Sequence, residues 1–195
     1  MTTADTRRSV LLIGKSQLVL DQSVAGLREL GYEADATSDF TDIAGRFDVG
    51  EIDLVVFGGQ VPQDRRAELR DEIGAINGNV IFVQGLAGIP GLIVNQVRGA
   101  FAPGHPDATL RPTYRRDDRS IRLTLSGPAE VKVILWWQTA FVPPDPRSDS
   151  LVLLDDRLAG GDHAIAIPDH VPPKAAFATV EIDAAIYAFN VATGA

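Results

Sequence analysis

The residues of this chain best placed for ligand chemistry form the loop Gly14-Lys15-Ser16-Gln17, between a short apolar run and a helical pattern. A glycine there lets a phosphate approach backbone N–H groups at a helix N-terminus, and Lys15 and Ser16 would add a charge and a hydroxyl. Gly58 and Gly59 close a later apolar run, and Asp39 follows another at a distance loosely suited to a ribose hydroxyl. The pattern is incomplete. Leu18 and Leu20 stand where a dinucleotide loop has further glycines, and Ser9 stands where GxxxxGK[ST] has its first glycine. Two readings stay open: a loop that only turns the chain, or a nucleotide site made of Gly14, Lys15, Ser16, Gln17, Asp39, Gly58 and Gly59.

Other reactive side chains lie further on. Asp155-Asp156, Asp162-His163 and Asp169-His170 are close in sequence, and two histidines with a carboxylate can bind a metal. Alternation of His163, Ile165 and Ile167 instead makes His163 a half-buried strand residue, and the Asp pairs read as turns. No G-x-S-x-G elbow supports a Ser-His-Asp set. The expectation is therefore no catalytic set and no metal site. Trp136, Trp137 and Phe141 form the largest aromatic group. Adjacent strand residues face opposite ways, so one tryptophan belongs to a core and the other is a candidate interface residue.

Composition narrows the partners. The chain has 195 residues, a net charge of −8 and no cysteine, which removes disulfides and thiolate chemistry. Both halves carry more acidic than basic side chains, so nucleic acid is not the expected partner. The cluster Arg111, Arg115, Arg116, Arg119 and Arg122 encloses Asp117 and Asp118 and reads as a solvated turn. No apolar run is long enough to span a membrane, and Met1–Ser9 is too polar for a signal peptide, so the expectation is a cytoplasmic protein.

Two kinds of element must carry these residues. Up to Pro103, apolar runs alternate with helical spacing: Ser9–Ile13, then Leu20, Val24, Leu27 and Leu30; Tyr32–Thr37; Asp53–Phe57; Gln63–Ala75; Asn79–Val83; Ile89–Phe101. Four strands with helices between them predict a parallel sheet of Rossmann or flavodoxin-like order. Beyond it, prolines concentrate and strand-like runs follow at Ser120–Ser126, Glu130–Thr139, Ser150–Leu154, His163–Ile167, Phe177–Ile182 and Ala185–Val191. Gly127-Pro128, Pro143-Pro144-Asp145-Pro146, Gly160-Gly161 and Pro172-Pro173 separate them. The expectation is an α/β domain over 1–103 and a small antiparallel β-sandwich over 104–195.

Several segments resemble a short-chain dehydrogenase/reductase. SVLLIGKSQ is similar to the opening strand and nucleotide loop, DLVVFGGQV to the DVLVNNAG strand, and GNVIFVQGLAGIPGLIVNQVRGAF to the strand, active-site loop and catalytic helix. The resemblance implies a degenerate relative. Gln84 or Gly85 takes the serine position, Val94 the tyrosine and Arg98 the lysine, so the proton relay has no donor at Val94. DLVVFGGQVP is also similar to a response-regulator receiver domain, with Pro62 kept but Gly58 at the phosphoacceptor and no acidic pair after the first strand. AGGDHAIAIPD resembles the approach to an immunoglobulin-like strand. Together these imply a non-catalytic binding, regulatory or assembly protein with no required cofactor, associating with itself or a partner protein. The alternative is a nucleotide- or NAD(P)-dependent enzyme with an atypical site.

Overall fold

The structure is a computed structural model and describes residues 7–103, 111–142, 145–172 and 176–191. The domain boundary at 104 and the Pro143-Pro144 turn read from the sequence lie outside them. The chain divides into two compact units between Val97 and Arg98, within one helix.

The first unit is an α/β fold. Its parallel sheet holds β1 (Ser9–Ile13), β2 (Glu33–Thr37), β3 (Leu54–Phe57) and β4 (Ile81–Gln84) in the order β2-β1-β3-β4. Helices α1 (Gln17–Glu29), α3 (Gln63–Ile76) and α4 (Pro90–Phe101) alternate with the strands, and a single turn of helix, α2 (Ile43–Arg46), follows β2. The central strands are apolar throughout because both faces are covered. Leu11, Ile13, Val55 and Phe57 point to one face and pack with Leu69 and Ile73 of α3. These two helix residues lie four apart, on one stripe. On the other face Val10, Leu12, Leu54 and Val56 are equally buried. There α1 and α4 approach each other where Gly26 meets Val94. Ser16 caps α1 by accepting the Val19 N–H at 3.4 Å. Gly31, at φ 89°, turns the chain out of the helix.

The sequence left the strand order open, and β1 now stands between β2 and β3. That is the flavodoxin-like order, and equally the order of a dinucleotide-binding half that lacks its third strand. In either case the chain reverses direction across β1.

The second unit is a sandwich of two antiparallel sheets. One holds β5 (Thr113–Arg115), β6 (Ser120–Leu125) and β9 (Gly161–Ala166), in the order β5-β6-β9. The other holds β7 (Ala129–Val142), β8 (Asp145–Leu158), β10 (Ala176–Ile182) and β11 (Ala185–Asn190), in the order β11-β10-β7-β8. The chain changes sheet after β6, β8 and β9, a Greek-key path. Alternate residues of each sheet face inward. Ile121, Leu123 and Leu125 of β6 meet Val131, Val133, Leu135 and Trp137 of β7 and Ala178, Val180 and Ile182 of β10 in one core.

Two elements differ from the sequence reading. Strand β8 begins at Asp145, so Pro146 lies inside a strand rather than in a turn. An edge strand tolerates this, because the N–H that proline lacks can be one that faces away from the ladder. Strand β5 lies inside the arginine cluster, where only a turn was expected; the turn itself is Arg116–Arg119.

Candidate functional site

Three glycines define the carboxyl edge of the parallel sheet. Ile13, Phe57 and Gln84 end β1, β3 and β4 in one register row, and each is followed by a glycine: Gly14, Gly58 and Gly85. The ladder runs on into this row, with Gly58 N–H donating to the Ile13 carbonyl at 2.8 Å and Gly85 N–H to the Phe57 carbonyl at 2.9 Å. The loops touch so closely that a Cβ on Gly58 would lie 3.3 Å from the Gly14 Cα and 3.4 Å from the Ile13 oxygen. Backbone packing therefore favours glycine at 58 before any ligand is considered, because a Cβ would force the Gly14 loop to give by a few tenths of an ångström.

The other residues singled out in the first unit surround this row. Lys15 is exposed, Ser16 is buried as the cap of α1, and Gln17 is exposed and donates to Asp21 at 2.7 Å. Gly59 is exposed. Asp39 lies beyond β2, in a turn anchored on Thr37, whose own carbonyl accepts from Gly14 N–H at 3.1 Å. Its carboxylate accepts from the Thr41 N–H at 2.9 Å and hydroxyl at 2.7 Å, and pairs with Arg46 at 2.6 Å. The two Thr41 bonds, with Arg46 beside them, hold its pKa below the ordinary carboxylate value. Asp39 thus stays ionised, and its lone pairs serve its own turn.

Sequence reasoning named Gln84 but passed over Arg66 and Gln96, the residues that finish this edge. The Gln84 amide donates to the Phe57 carbonyl at 3.0 Å and accepts from Arg66 of α3. Gln96 of α4 donates to the Gln84 carbonyl at 3.1 Å and accepts from Leu86 N–H at 3.1 Å. Nothing in the spacing of Arg66, Gln84 and Gln96 marks them as partners; only the parallel topology brings them together.

The candidates of the second unit separate by face. Trp137 is buried in the sandwich core at 8% exposure. Trp136 lies on the opposite face of β7 and donates its indole N–H to the Thr179 hydroxyl at 2.9 Å. The same face carries Lys132 and Ile134, and on β10 Phe177 and Glu181. Arg98 forks onto Glu181 with bonds of 3.0 and 2.8 Å. Phe141 falls within β7, and its side chain is outside the described residues.

The acidic and histidine residues do not gather. Asp155 pairs with Lys132, Asp162 accepts from Thr124, Asp169 pairs with Arg119, and the His163 ring meets the Ala159 carbonyl. Among the described residues no three His, Cys, Asp or Glu side chains come together as a metal ion requires. Within the arginine cluster, Arg115 pairs with Asp117 and Arg122 with Asp118.

No helix of the described residues is long and apolar enough to cross a membrane. Compared with known proteins, the chain matches no family model and no curated protein sequence.

Proposed function

We propose that this is a non-catalytic binding, regulatory or assembly protein of the cytoplasm. Its first unit is a degenerate nucleotide-binding fold, and its sandwich associates with a second copy or with a partner protein. One observation carries the reading. Apart from exposed Lys15, the polar side chains described at the carboxyl edge, where α/β folds bind ligands, are committed to the protein's own structure: Asp39 to Thr41 and Arg46, Gln84 to Phe57, Gln96 to Gln84 and Leu86, Ser16 to Val19. The positions at which a short-chain dehydrogenase or a receiver domain would hold its reactive group carry Gln84, Gly85 or Gly58. The degenerate dehydrogenase remains the preferred ancestry and a pseudo-receiver the second.

The sandwich supports an immunoglobulin-like assignment. Its first, second and fifth strands share one sheet, while its third, sixth and seventh share the other, with the fourth strand added beside the third. A tryptophan of the third strand, Trp137, fills the core, as in that fold. Such modules commonly serve association, and Trp136 is the tryptophan on the outer face, half-buried beside Phe177.

Size exclusion with light scattering on the purified protein is the test. A defined oligomer or a co-purifying protein is expected. Trp136→Ala should lower the mass or release the partner while the sandwich stays folded. Trp137→Ala should instead cost about 3–5 kcal/mol of stability, as for other buried large-to-small changes. A lone monomer without a partner counts against the proposal.

The contact of the Gly14 and Gly58 loops at the strand-order reversal favours one other reading, a nucleotide- or NAD(P)-dependent enzyme with an atypical site. A thermal shift with one nucleotide would support it, since ligand at 100 times Kd adds about 2.7 kcal/mol. No shift with any nucleotide at millimolar concentration would remove it.

A further inference from the structure

We infer that Gln96 is a plug on the open edge of the parallel sheet, and that it keeps β4 from pairing with β4 of a second copy of this chain. The argument starts from the ladder. Ile81 N–H and Gly85 N–H donate to Asp53 and Phe57, so the odd-numbered residues of β4 face β3. In a parallel ladder the intervening residues then face the other way, which turns the N–H and C=O of Phe82 and Gln84 toward the open side. Among the described residues no strand pairs there.

Gln96 occupies part of that side. Its Nε2 donates to the Gln84 carbonyl and its Oε1 accepts from the Leu86 N–H, both at 3.1 Å. A residue of a neighbouring parallel strand makes this same pair of bonds, giving its N–H to residue i−1 and its C=O to residue i+1, with Gly85 as residue i. A carbonyl only accepts and an N–H only donates, so the two partners fix the orientation of the amide. One side chain of α4 thus stands in for one residue of a fifth strand. An incoming strand is left with the N–H and C=O of Phe82 and the N–H of Gln84, without the Gln84 carbonyl or the Leu86 N–H that would continue the ladder.

The two edges of this sheet differ in their need for such a device. Strand β2 carries Glu33 and Asp35, and Arg28 donates to its Ala34 carbonyl at 2.9 Å. Charges of that kind discourage edge pairing. Strand β4 reads Ile-Phe-Val-Gln and has no charge, and Ile81 is 39% exposed. Two copies of so uncharged a strand can meet antiparallel across a two-fold axis without like-charge contact, in a chain whose net charge is −8.

Gln96→Met keeps the volume of the side chain and removes both bonds. In light scattering its mass should rise with concentration above that of the parent protein. Adding Ile81→Lys, a charge on the edge, should return the parental mass. Gln96→Glu breaks the bond to Gln84 but places a charge on the edge, and should keep the parental mass. A folded Gln96→Met variant of parental mass at every concentration overturns the inference, as does association that persists with Ile81→Lys. Native-state hydrogen exchange of the unaltered protein decides the matter should Gln96→Met not fold. The Leu86 amide should exchange on the order of tenfold slower than the Phe82 amide. Equal rates would show that no plug is held.

Discussion

Ser23 sits on the face of α1 that packs against the sheet, with 0% exposure, and its hydroxyl meets no hydrogen-bond partner among the described residues. A buried hydroxyl without a partner loses its water and gains nothing in return, and serine is also a poorer helix former than alanine. Ser23→Ala should therefore stabilise the first unit by about 1 kcal/mol, read as a higher midpoint in urea; an equal destabilisation would mean that the hydroxyl has a partner in solution. Gly58 gives the opposite expectation. Its substituent would press on the Gly14 Cα and the Ile13 oxygen, both backbone atoms that cannot swing aside. Gly58→Ala should cost about 1–3 kcal/mol, the usual range for overpacking. The same change at exposed Gly59, where a Cβ meets nothing within 4 Å, should cost far less in the same denaturation experiment.

At the level of elements, the β5–β6 turn is held by charge. Asp117 is drawn below the ordinary carboxylate pKa by its bond from Arg115, and Asp118 by its bonds from Ser120 and then Arg122. A carboxyl with a lower pKa in the folded state binds its proton better when unfolded, so protonation favours unfolding. The contribution is complete above the ordinary aspartate value of about 4 and is lost as pH falls through the lower folded values. Melts of Asp117→Asn and Asp118→Asn should thus lie below the parent near neutral pH and converge with it in acid. A gap that persists in acid, once both carboxyls are protonated in the folded and unfolded states, would assign the effect to something other than charge. This turn also shows how far the sequence could be read. Mixed charge marked a solvated turn correctly but hid β5, because three residues with one half-buried Tyr114 make no alternation long enough to notice. Apolar runs such as DLVVF announced their strands, since a strand covered on both faces must be apolar throughout. Pro146 concealed the start of β8, because whether proline fits a strand depends on being at a sheet edge, which only the assembled fold decides. The glycines of the carboxyl edge were visible for the same local reason as the turns. Gln84 was visible too, but its partners Arg66 and Gln96 were not, because their bonds join α3, β4 and α4 across the topology.

Among the described residues, one cluster of buried side chains gathers around Leu11, Phe57 and Leu69 in the first unit and another around Val133, Trp137 and Val180 in the second. The molecule's spectroscopic reporters are divided in the same way. Both tryptophans lie on β7 of the second unit, whereas α1, α2, α3 and most of α4 lie in the first. Tryptophan fluorescence therefore follows the sandwich, and circular dichroism at helical wavelengths follows the α/β unit. These two clusters have no residue in common, and each is expected to unfold as its own cooperative block, which departs from two-state behaviour. Leu69→Ala, at 0% exposure, removes about 2–5 kcal/mol from the first core. It should shift the urea midpoint seen by circular dichroism and leave the fluorescence midpoint in place. Val133→Ala, also at 0% exposure, should do the reverse. If instead both probes move together for both substitutions, the helix α4 that runs through the division at Val97 couples the units into one cooperative block.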